Sequence, residues 1–400
     1  MPEFDVVIVG AGPAGGQCAR LLALANYRVL LVEQQENFDR HNFSSAATPL
    51  ETLKQFDLPT EVVGSFWQNI NIVTSKIDRT WNSSEPLGAV LNFAKLRQFL
   101  AREVTNFGGE VWLGCHYIKY VTTENKTQVV LRTKGSKTDI IVSTKVLVDA
   151  TGFTRAVIYP NKRDKPNFLK GSGLEYLIKV DREIFDRFAN SLTFFMGYKW
   201  MPQGYSWIFP MENRLLKVGA AYVHGKHAHI RQIKPLKYYI ELLLTEYMNI
   251  PHYQIIDIHG SVLEYSSGLN DIYYQNNIIA IGDAVSTVNF LGGEGIRHAM
   301  YGAKIAVKYI EAYLQNKLTN FAPYQKELKQ HFGFKWNLSE KISRKVYLAY
   351  KDTKIDTRVS ALTALSTKEL TEMLFEYKFT LAYKVFRSYL NQKIRSFFFN

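Results

Sequence analysis

The sequence FDVVIVGAGPAGGQCARLLALANYRVLLVE, residues 4–33, indicates the fold class more clearly than any other part of the chain. An unbroken run of β-branched residues ends at Gly10, which is typical of a strand buried on both faces of a parallel sheet and followed by a sharp turn. Gly12 allows a pyrophosphate to approach the backbone, and Gly15 allows the next helix to pack closely. N–H groups at the helix start would face the phosphates, and Glu33 would accept both ribose hydroxyls. The stretch therefore predicts a strand–turn–helix–strand unit for FAD or NAD rather than NADP.

Two later stretches resemble the first strand. Residues 145–152 (KVLVDATG) and 277–282 (NIIAIG) each predict a buried strand that ends in a small, flexible turn. Segment 168–258 contains long strand-like runs and one helix, 236–247, and the chain beyond residue 324 has mostly helical spacing. We therefore expect an α/β fold with three parts: a discontinuous Rossmann-like cofactor domain (1–165 and 266–320), a mainly β-sheet substrate domain (166–265) and a C-terminal helical region (321–400).

The segment between Glu33 and residue 145 is an insertion in this pattern. Residues 94–107 have the apolar spacing of a helix that stops at Gly108-Gly109. The four runs that follow predict a meander of separate strands at 110–113, 118–123, 128–133 and 139–142.

Composition limits the class of protein. The 400 residues are 46% hydrophobic and 14% aromatic, which is enough for a large core. No apolar run reaches the roughly 18 to 20 residues of a membrane-spanning helix, and the start shows no signal-peptide pattern. With only two cysteines, a disulfide framework or zinc cluster is not expected. We expect a cytoplasmic protein.

The net charge of +13 invites an anionic partner. Residues 378–400 carry five basic and no acidic side chains, and aromatic residues are interleaved with the bases. Such a segment suits peripheral contact with an anionic membrane, and an amphipathic helix packed on the protein's own core is the alternative. The sequence contains no nucleic-acid-binding module, so we expect no nucleic-acid partner. The basic surface suits an acidic redox partner as well as a membrane.

The stretch IIAIGDAVSTVNFLGGEGI, residues 278–296, identifies the cofactor class. Asp283 follows a buried strand, where its carboxylate can accept a polyol hydroxyl. The turn 292–296 opens a helix whose N–H groups can meet the edge of an isoalloxazine ring that becomes negative on reduction. NAD has no such edge, so the stretch favours a flavin.

Together these motifs resemble a known superfamily. GAGPAG with Glu33, the DATG segment and GDA…GGEGI look like the flavoproteins of the para-hydroxybenzoate hydroxylase type. Residues 202–210, PQGYSWIFP, match the PxxYxWxFP motif of geranylgeranyl reductases at every specified position. The resemblance implies an FAD-dependent oxidoreductase of lipid metabolism. In this family, reduced flavin N5 would transfer hydride to carbon–carbon double bonds of an isoprenoid, with NADPH or a ferredoxin-like acidic protein as electron donor.

The resemblance also implies site residues. Tyr205 and Trp207 would line the pocket for an apolar prenyl chain; from the residues alone, their strand alternates aromatic side chains onto one face, and core packing is the alternative. The family also implies a set of FAD-binding residues, with Arg97 as a further contact. They are Gly10, Gly12, Pro13, Ala14, Gly15, Glu33, Arg40, Arg97, Gly282, Asp283, Gly292, Gly293, Glu294, Gly295 and Ile296.

The chain also departs from the family pattern. Where the reductases carry RxKxCGGG, residues 40–47 read RHNFSSAA, so a cysteine-dependent step is not supported. The DATGF run at 149–153 fits the DxTGF run of flavin halogenases as well. A flavin monooxygenase or halogenase acting through a flavin hydroperoxide is therefore the first alternative, and a non-redox flavoprotein such as a carotenoid cyclase is the second. His224, His227 and His229 have metal-like spacing, but no acid or cysteine lies beside them, and no metal is expected.

Overall fold

The structure is a computed structural model that describes residues 1–39, 44–122, 126–161, 165 and 167–398, with side chains described as far as residue 390. In the first part of the chain the elements are β1 (Glu3–Val9), α1 (Pro13–Leu24), β2 (Val29–Val32), β3 (Ala47–Pro49), α2 (Glu51–Gln55), β4 (Val63–Trp67), β5 (Asn69–Val73), β6 (Asp78–Trp81), β7 (Gly88–Leu91), α3 (Phe93–Asn106), β8 (Glu110–Trp112), β9 (Cys115–Thr122), β10 (Thr127–Thr133) and β11 (Ile140–Asp149). The remaining elements are β12 (Leu169–Lys179), α4 (Arg182–Asp186), β13 (Ser191–Gly197), β14 (Met201–Met211), β15 (Leu215–Val223), α5 (Leu236–Leu242), β16 (Gln254–Tyr265), β17 (Tyr274–Gln275), β18 (Ile278–Ala280), α6 (Ile296–Leu314), α7 (Ala322–Leu348), α8 (Asp352–Ala361), α9 (Thr367–Phe375) and α10 (Ala382–Phe398).

The first of two compact units, unit 1, comprises Met1–Asn42, Phe93–Leu169 and Glu264–Leu338. Its eight-stranded sheet has the order β17-β18-β11-β1-β2-β8, and β10 and β9 extend from β11. The strands β18, β11, β1, β2 and β8 run parallel. Their apolar residues are buried because helices such as α1 and α6 cover the sheet. This arrangement confirms the predicted Rossmann-like α/β class.

The second unit, unit 2, comprises Phe43–Asn92, Lys170–Leu263 and Ser339–Asn400. Its seven-stranded sheet has the order β16-β12-β15-β14-β13-β5-β6, and a three-stranded sheet has the order β3-β7-β4. One face of the larger sheet packs against α5 in an apolar cluster that includes Phe195, Ile208 and Val218. The other face packs against the smaller sheet and residues of α8 and α9, in a cluster that includes Trp207 and Phe209.

The unit boundaries differ from the expected domains in two places. Residues 43–92 lie in unit 2 rather than with the first strands, because β5 pairs in parallel with β13. Helices α8, α9 and α10 also belong to unit 2 rather than to a separate helical region, since they complete the core over β14.

One strand replaces two predicted ones. The runs 139–142 and 145–152 were expected as separate strands, but β11 is continuous from Ile140 to Asp149. Residues 140–144 pair antiparallel with β10 on one side. Residues 143–149 pair in parallel with β1 on the other side. The strand therefore joins the meander to the parallel sheet without a break.

Candidate functional site

The turn between β1 and α1 has the geometry that its glycines predict. Gly10 has a φ of +104°, and a Cβ there would lie 2.4 Å from the Ala150 carbonyl oxygen. A Cβ at Gly15 would lie 1.9 Å from the Gly10 carbonyl oxygen. Gly12 differs, because no described atom lies within 4 Å of the position its Cβ would take. The chain thus fills two glycine positions tightly and leaves open space beside the third.

The start of α1 is suited to an anion. Gly12 is the N-cap residue, Pro13 begins the helix, and the first turn contains no acidic residue. Pro13 lacks an N–H, so the amides of Ala14 and Gly15 are the first that can point out of the helix end. The positive end of the helix dipole adds to their attraction for a phosphate.

Glu33 is held beside this turn by three partners. One carboxylate oxygen accepts the Ala11 N–H at 3.0 Å, and the other accepts the Gln35 N–H at 3.0 Å. Arg97 lies 3.2 Å from the first oxygen, and its Nε donates to the Ala11 carbonyl at 3.2 Å. Burial lowers the pKa of Arg97, and Glu33 opposes that shift. Because a carboxylate has about four acceptor sites and three are used by Ala11, Arg97 and Gln35, Glu33 retains capacity for about one further hydroxyl group.

The third predicted turn adjoins the first. Gly282 has a φ of +63°, and a Cβ there would lie 2.6 Å from the Cβ of Ala14 in α1. Asp283 follows, and its Oδ1 accepts the Val288 N–H at 3.1 Å. Burial raises the pKa of Asp283. The structure therefore brings together two motifs that lie far apart in the sequence.

The glycine-rich turn before α6 is closed by its own contacts. Gly293 has a φ of +66° and donates its N–H to the Asn289 carbonyl at 2.8 Å. Gly292 precedes it. The position of a Cβ at Gly295, the N-cap of α6, lies 3.8 Å from Asp283 Oδ2. The turn thus places the Asp283 carboxylate at the start of α6, where Ile296 is the first helical residue.

The Glu294 carboxylate is bound by side chains of α6. Its carboxylate accepts Arg297 Nε at 3.0 Å and lies 3.1 Å from His298 Nε2. Burial would raise the pKa of Glu294, but His298 and Arg297 outweigh it and lower the pKa to about 2. The Glu294 side chain therefore fastens the turn to the first helical turn of α6.

Two buried residues that sequence reasoning did not select brace these turns. Asp149, which ends β11, accepts four hydrogen bonds, from the Thr151 N–H and hydroxyl and from the Val157 and Ile158 N–H groups. Arg155 is fully buried, donates to Ser286 Oγ at 3.1 Å and lies 3.4 Å from Asp271. Burial raises the pKa of Asp271 to about 6, against the opposing effect of Arg155. Arg155 lies just after the DATGF run, but nothing in its residue type signals that it is buried.

Unit 2 holds the PxxYxWxFP motif on β14. Trp207 and Phe209 are buried, whereas Tyr205 is half-buried. Cross-strand pairing sets Tyr205 opposite Ala221 and Met196, and sets Trp207 opposite Gly219. A Cβ at Gly219 would lie 2.2 Å from the Trp207 indole, so the ring lies directly over that glycine.

The Trp207 indole is held by a buried carboxylate. Its Nε1–H donates to Glu175 Oε2 on β12 at 2.9 Å, and Glu175 is 1% exposed. Burial raises the pKa of Glu175, and Lys217 on β15 opposes the shift. Burial lowers the pKa of Lys217, against the effect of Glu175. The sheet face thus contains two interacting buried charges next to the motif.

Lys217 also anchors the chain before β3. Its Nζ donates to the carbonyls of Ser44 at 2.7 Å, Ser45 at 3.3 Å and Leu91 at 3.4 Å. Ser44 and Ser45 belong to the segment where this sequence departs from the family's cysteine and glycine pattern. Arg40, predicted to contact the cofactor, lies outside the described residues.

Half-buried apolar residues form a strip on this face of the sheet. They pack at the edge of the cluster around Trp207 without being enclosed by it, and they are Leu177, Phe194, Met196, Tyr205 and Ala221. Beside the strip, Met196, Gly204, Tyr347 and Tyr350 are among the residues that line a cleft. The name apolar strip refers below to Leu177, Phe194, Met196, Tyr205 and Ala221. An apolar surface with aromatic walls and open space beside it suits a hydrocarbon ligand.

The histidines at 224, 227 and 229 do not form a ligand set. His224 lies 2.8 Å from Ser172 Oγ, and His227 Nδ1 accepts the His229 N–H at 2.9 Å. Across the described part of the chain, no three His, Cys, Asp or Glu side chains are grouped as metal ligands. Within the same residues, no helix is both long and apolar enough to cross a bilayer.

Two family models match the chain. Residues 4–173 match a pyridine nucleotide-disulphide oxidoreductase, and residues 173–262 match the geranylgeranyl reductase catalytic domain. The second match includes β14, all five residues of the apolar strip, and the buried residues Glu175 and Lys217.

Two of the curated relatives have the same enzyme name. A digeranylgeranylglycerophospholipid reductase of Haloferax volcanii is 29% identical over 78% of this chain and 77% of its own length. A digeranylgeranylglycerophospholipid reductase of Methanococcoides burtonii is 24% identical over 92% of this chain and 90% of its own length.

Solved structures share the fold. A geranylgeranyl bacteriochlorophyll reductase-like protein from Thermoplasma acidophilum has a TM-score of 0.80 and 20% identity, covering 92% of this chain and 93% of that one. A flavin-dependent brominase aligns with a TM-score of 0.65 and 15% identity, covering 90% of this chain and 98% of that one. These matches, with the motifs on β1–α1 and β14, support the predicted family: the chain is similar to the geranylgeranyl reductases, whose catalytic domain matches residues 173–262.

Proposed function

We propose that the protein binds FAD and reduces carbon–carbon double bonds in the geranylgeranyl-type chain of a lipid. The observation that carries the proposal is the apolar strip. Its central residue, Tyr205, lies on β14, inside the part of the chain that matches the geranylgeranyl reductase catalytic domain. The names of the curated relatives support a lipid with prenyl chains as the substrate class.

The residues of unit 1 fit FAD. The open space at Gly12 and the N–H groups at the start of α1 would receive the pyrophosphate. The remaining acceptor site of Glu33 suits a ribose hydroxyl, with Arg97 fixing the carboxylate. Asp283 would accept a hydroxyl of the ribityl chain. The N–H groups at the start of α6, from the Gly293–Gly295 turn onward, would stabilise negative charge at the edge of the ring.

Bound FAD supplies hydride from the reduced N5 position. The task of the chain is then to hold the alkene and exclude water, since positioning is the main protein contribution to such a transfer. Trp207 and Phe209 would support the apolar strip from the core because both rings are buried there, and Glu175 fixes the indole. The Tyr205 hydroxyl is uncharged at neutral pH even at the ordinary pKa of a tyrosine, and burial raises its pKa further, so no charge lies beside the hydrocarbon.

An anaerobic experiment tests this function. The purified protein is loaded with FAD, reduced, and mixed with geranylgeranyl diphosphate or a geranylgeranyl lipid while flavin absorbance and product mass are followed together. We expect the flavin to reoxidise as the product gains two hydrogens per double bond.

Two other results would reject the proposal. Flavin that stays reduced until oxygen is admitted would indicate a monooxygenase or halogenase. Conversion of the isoprenoid without consumption of reductant would indicate a non-redox flavoprotein of the cyclase type.

A further inference from the structure

The last helix of unit 2 is apolar on two sides. On its inner side, Val385 packs against the edge of the cluster around Trp207, and the Arg358 guanidinium of α8 lies 4.5 Å from the Tyr389 ring centre. On its outer side, Tyr383, Phe386 and Leu390 are 64%, 55% and 40% exposed. A helix that already has a packed apolar side normally presents polar residues to solvent, so the outer side is unusual.

The composition of the outer side is specific. The residues of α10 exposed up to position 390 are Ala382, Tyr383, Phe386, Arg387 and Leu390. We call these five residues the outer face. Spacings of three and four residues place Tyr383, Phe386 and Leu390 in one stripe along the helix. The outer face therefore combines two aromatic rings, a leucine and one base, without an acidic residue.

Charge favours an anionic surface as the occupant of the outer face. Residues 378–400 contain five basic and no acidic residues, and the whole chain has a net charge of +13. Two of these bases, Lys378 and Lys384, pair with acidic residues of α9 and the residue after it. Arg387, on the outer face, is exposed. Aromatic residues next to exposed bases are the combination that binds the interface of a membrane containing anionic lipids.

The inner side of α10 packs through Val385 against the apolar cluster around Trp207, and Tyr205 and Met196 of the apolar strip pack against the same cluster. The outer face and the apolar strip therefore both belong to unit 2. An anionic bilayer that contains prenyl lipids would use both surfaces, which favours a lipid surface over a protein partner.

We propose that the outer face of α10 binds the surface of an anionic lipid bilayer and so brings the protein to its lipid substrate. The proposal rests on the proposed function for its choice of lipid, but vesicle binding is measured without turnover. Failure of alkene reduction would therefore leave the binding test intact.

The binding test uses the full-length FAD-loaded protein and sedimentation with two kinds of vesicle. One is phosphatidylcholine alone, and the other is phosphatidylcholine mixed with phosphatidylglycerol. We expect binding to the mixed vesicles, about tenfold weaker for Phe386→Ser/Leu390→Ser because apolar area no longer leaves water. Arg387→Gln should weaken binding to the mixed vesicles by about fivefold and leave binding to phosphatidylcholine unchanged.

The matched control is Ile256→Ser on the edge strand β16, which also removes a 46% exposed apolar side chain. It should bind vesicles like the parent protein. Equal weakening by Ile256→Ser, or full binding by Phe386→Ser/Leu390→Ser, would overturn the proposal. Dissociation of a dimer by Phe386→Ser/Leu390→Ser, seen by light scattering without a change in vesicle binding, would assign the surface to a second copy instead.

A turnover measurement separates docking from folding. Phe386→Ser/Leu390→Ser should reduce water-soluble geranylgeranyl diphosphate at the parent rate and lose turnover only with lipid embedded in vesicles. Equal loss with both substrates would mean that α10 supports the fold rather than docking, and would reject the proposal.

Discussion

The contributions of Glu175 and Lys217 to the stability of the fold depend on each other. Both are buried on the sheet face that carries Trp207, and each charge moderates the shift that burial imposes on the pKa of the other. A buried charge without its partner is costly, whereas replacing both charges by apolar groups is often tolerated. The pair therefore offers a direct test of how the aromatic strand is held.

Glu175→Gln should lower the free energy of unfolding by about 3 kcal/mol, because it leaves the Lys217 cation buried without a carboxylate. The amide oxygen can still accept the Trp207 Nε1–H, so the hydrogen bond alone does not account for the loss. Glu175→Leu/Lys217→Met should recover part of the stability. Urea unfolding of Glu175→Leu, Lys217→Met and the double variant, each compared with the parent protein, measures the coupling, and strictly additive effects would contradict it.

Glu294 predicts a dependence of stability on pH. Its pKa is lowered in the folded chain to about 2 from an ordinary value of 4.5. Its ionised form therefore stabilises the fold above about pH 4.5, and that contribution is lost as pH falls toward 2.

Glu294→Gln should cost about 2 kcal/mol of unfolding free energy at pH 7, with the difference from the parent protein shrinking between pH 4.5 and 2. Denaturant unfolding at a series of pH values measures this difference. Glu311→Gln, in the last turn of α6, serves as the control. A gap that stays constant with pH would show that the ion contacts are not responsible.

At the scale of elements, two glycines of one turn should respond differently to the same methyl group. Gly12→Ala adds its methyl to open space, so the fold should keep its stability while FAD binding weakens by tenfold or more, about 1.4 kcal/mol. Gly10→Ala has no such space, because φ is +104° and the Ala150 carbonyl is in the way. It should destabilise the apoprotein by about 2 kcal/mol. Thermal unfolding without FAD and fluorescence titration with FAD separate the two effects, and equal behaviour would contradict the assigned roles.

Sequence patterns predicted the elements whose periodicity is local and missed those that depend on distant partners. The buried runs of β1, β11 and β18 identify themselves because parallel strands covered on both faces are continuously apolar. The short strand β5 pairs with β13, more than a hundred residues away in the sequence, and β6 pairs with β5. The alternating Asn and Ile residues of β5 form too short a pattern to identify that distant partner.

The same distinction applies to the candidate site. The glycines of the first turn and Glu33 follow from a local spacing within residues 10–33, so the sequence alone could predict them. The bonds of Lys217 to the carbonyls of Ser44 and Ser45 span about 170 residues, and the burial of Arg155 depends on Asp271 and Ser286. No local pattern encodes such pairings.

For the whole molecule, stability should depend on the complete dinucleotide. FAD at about 100 times its Kd should raise the free energy of unfolding by about 2.7 kcal/mol. FMN lacks the adenosine half that Glu33 and the β1–α1 turn would bind, so at equal concentration it should raise the thermal midpoint less. Differential scanning fluorimetry compares the two, and equal shifts would place the stabilising contacts at the ring alone.

Lys217 binds main-chain oxygens at Ser44 and Ser45, and this has a consequence for sequence change. Because no side chain at these two positions takes part in those bonds, either residue can be exchanged without loss of the anchor. The segment at Ser44 and Ser45 is therefore suited to substitution. We expect Lys217 to keep its hydrogen bonds to the main chain when a cysteine or glycine replaces either serine. Divergence between relatives at this segment need not disturb the strand beneath it.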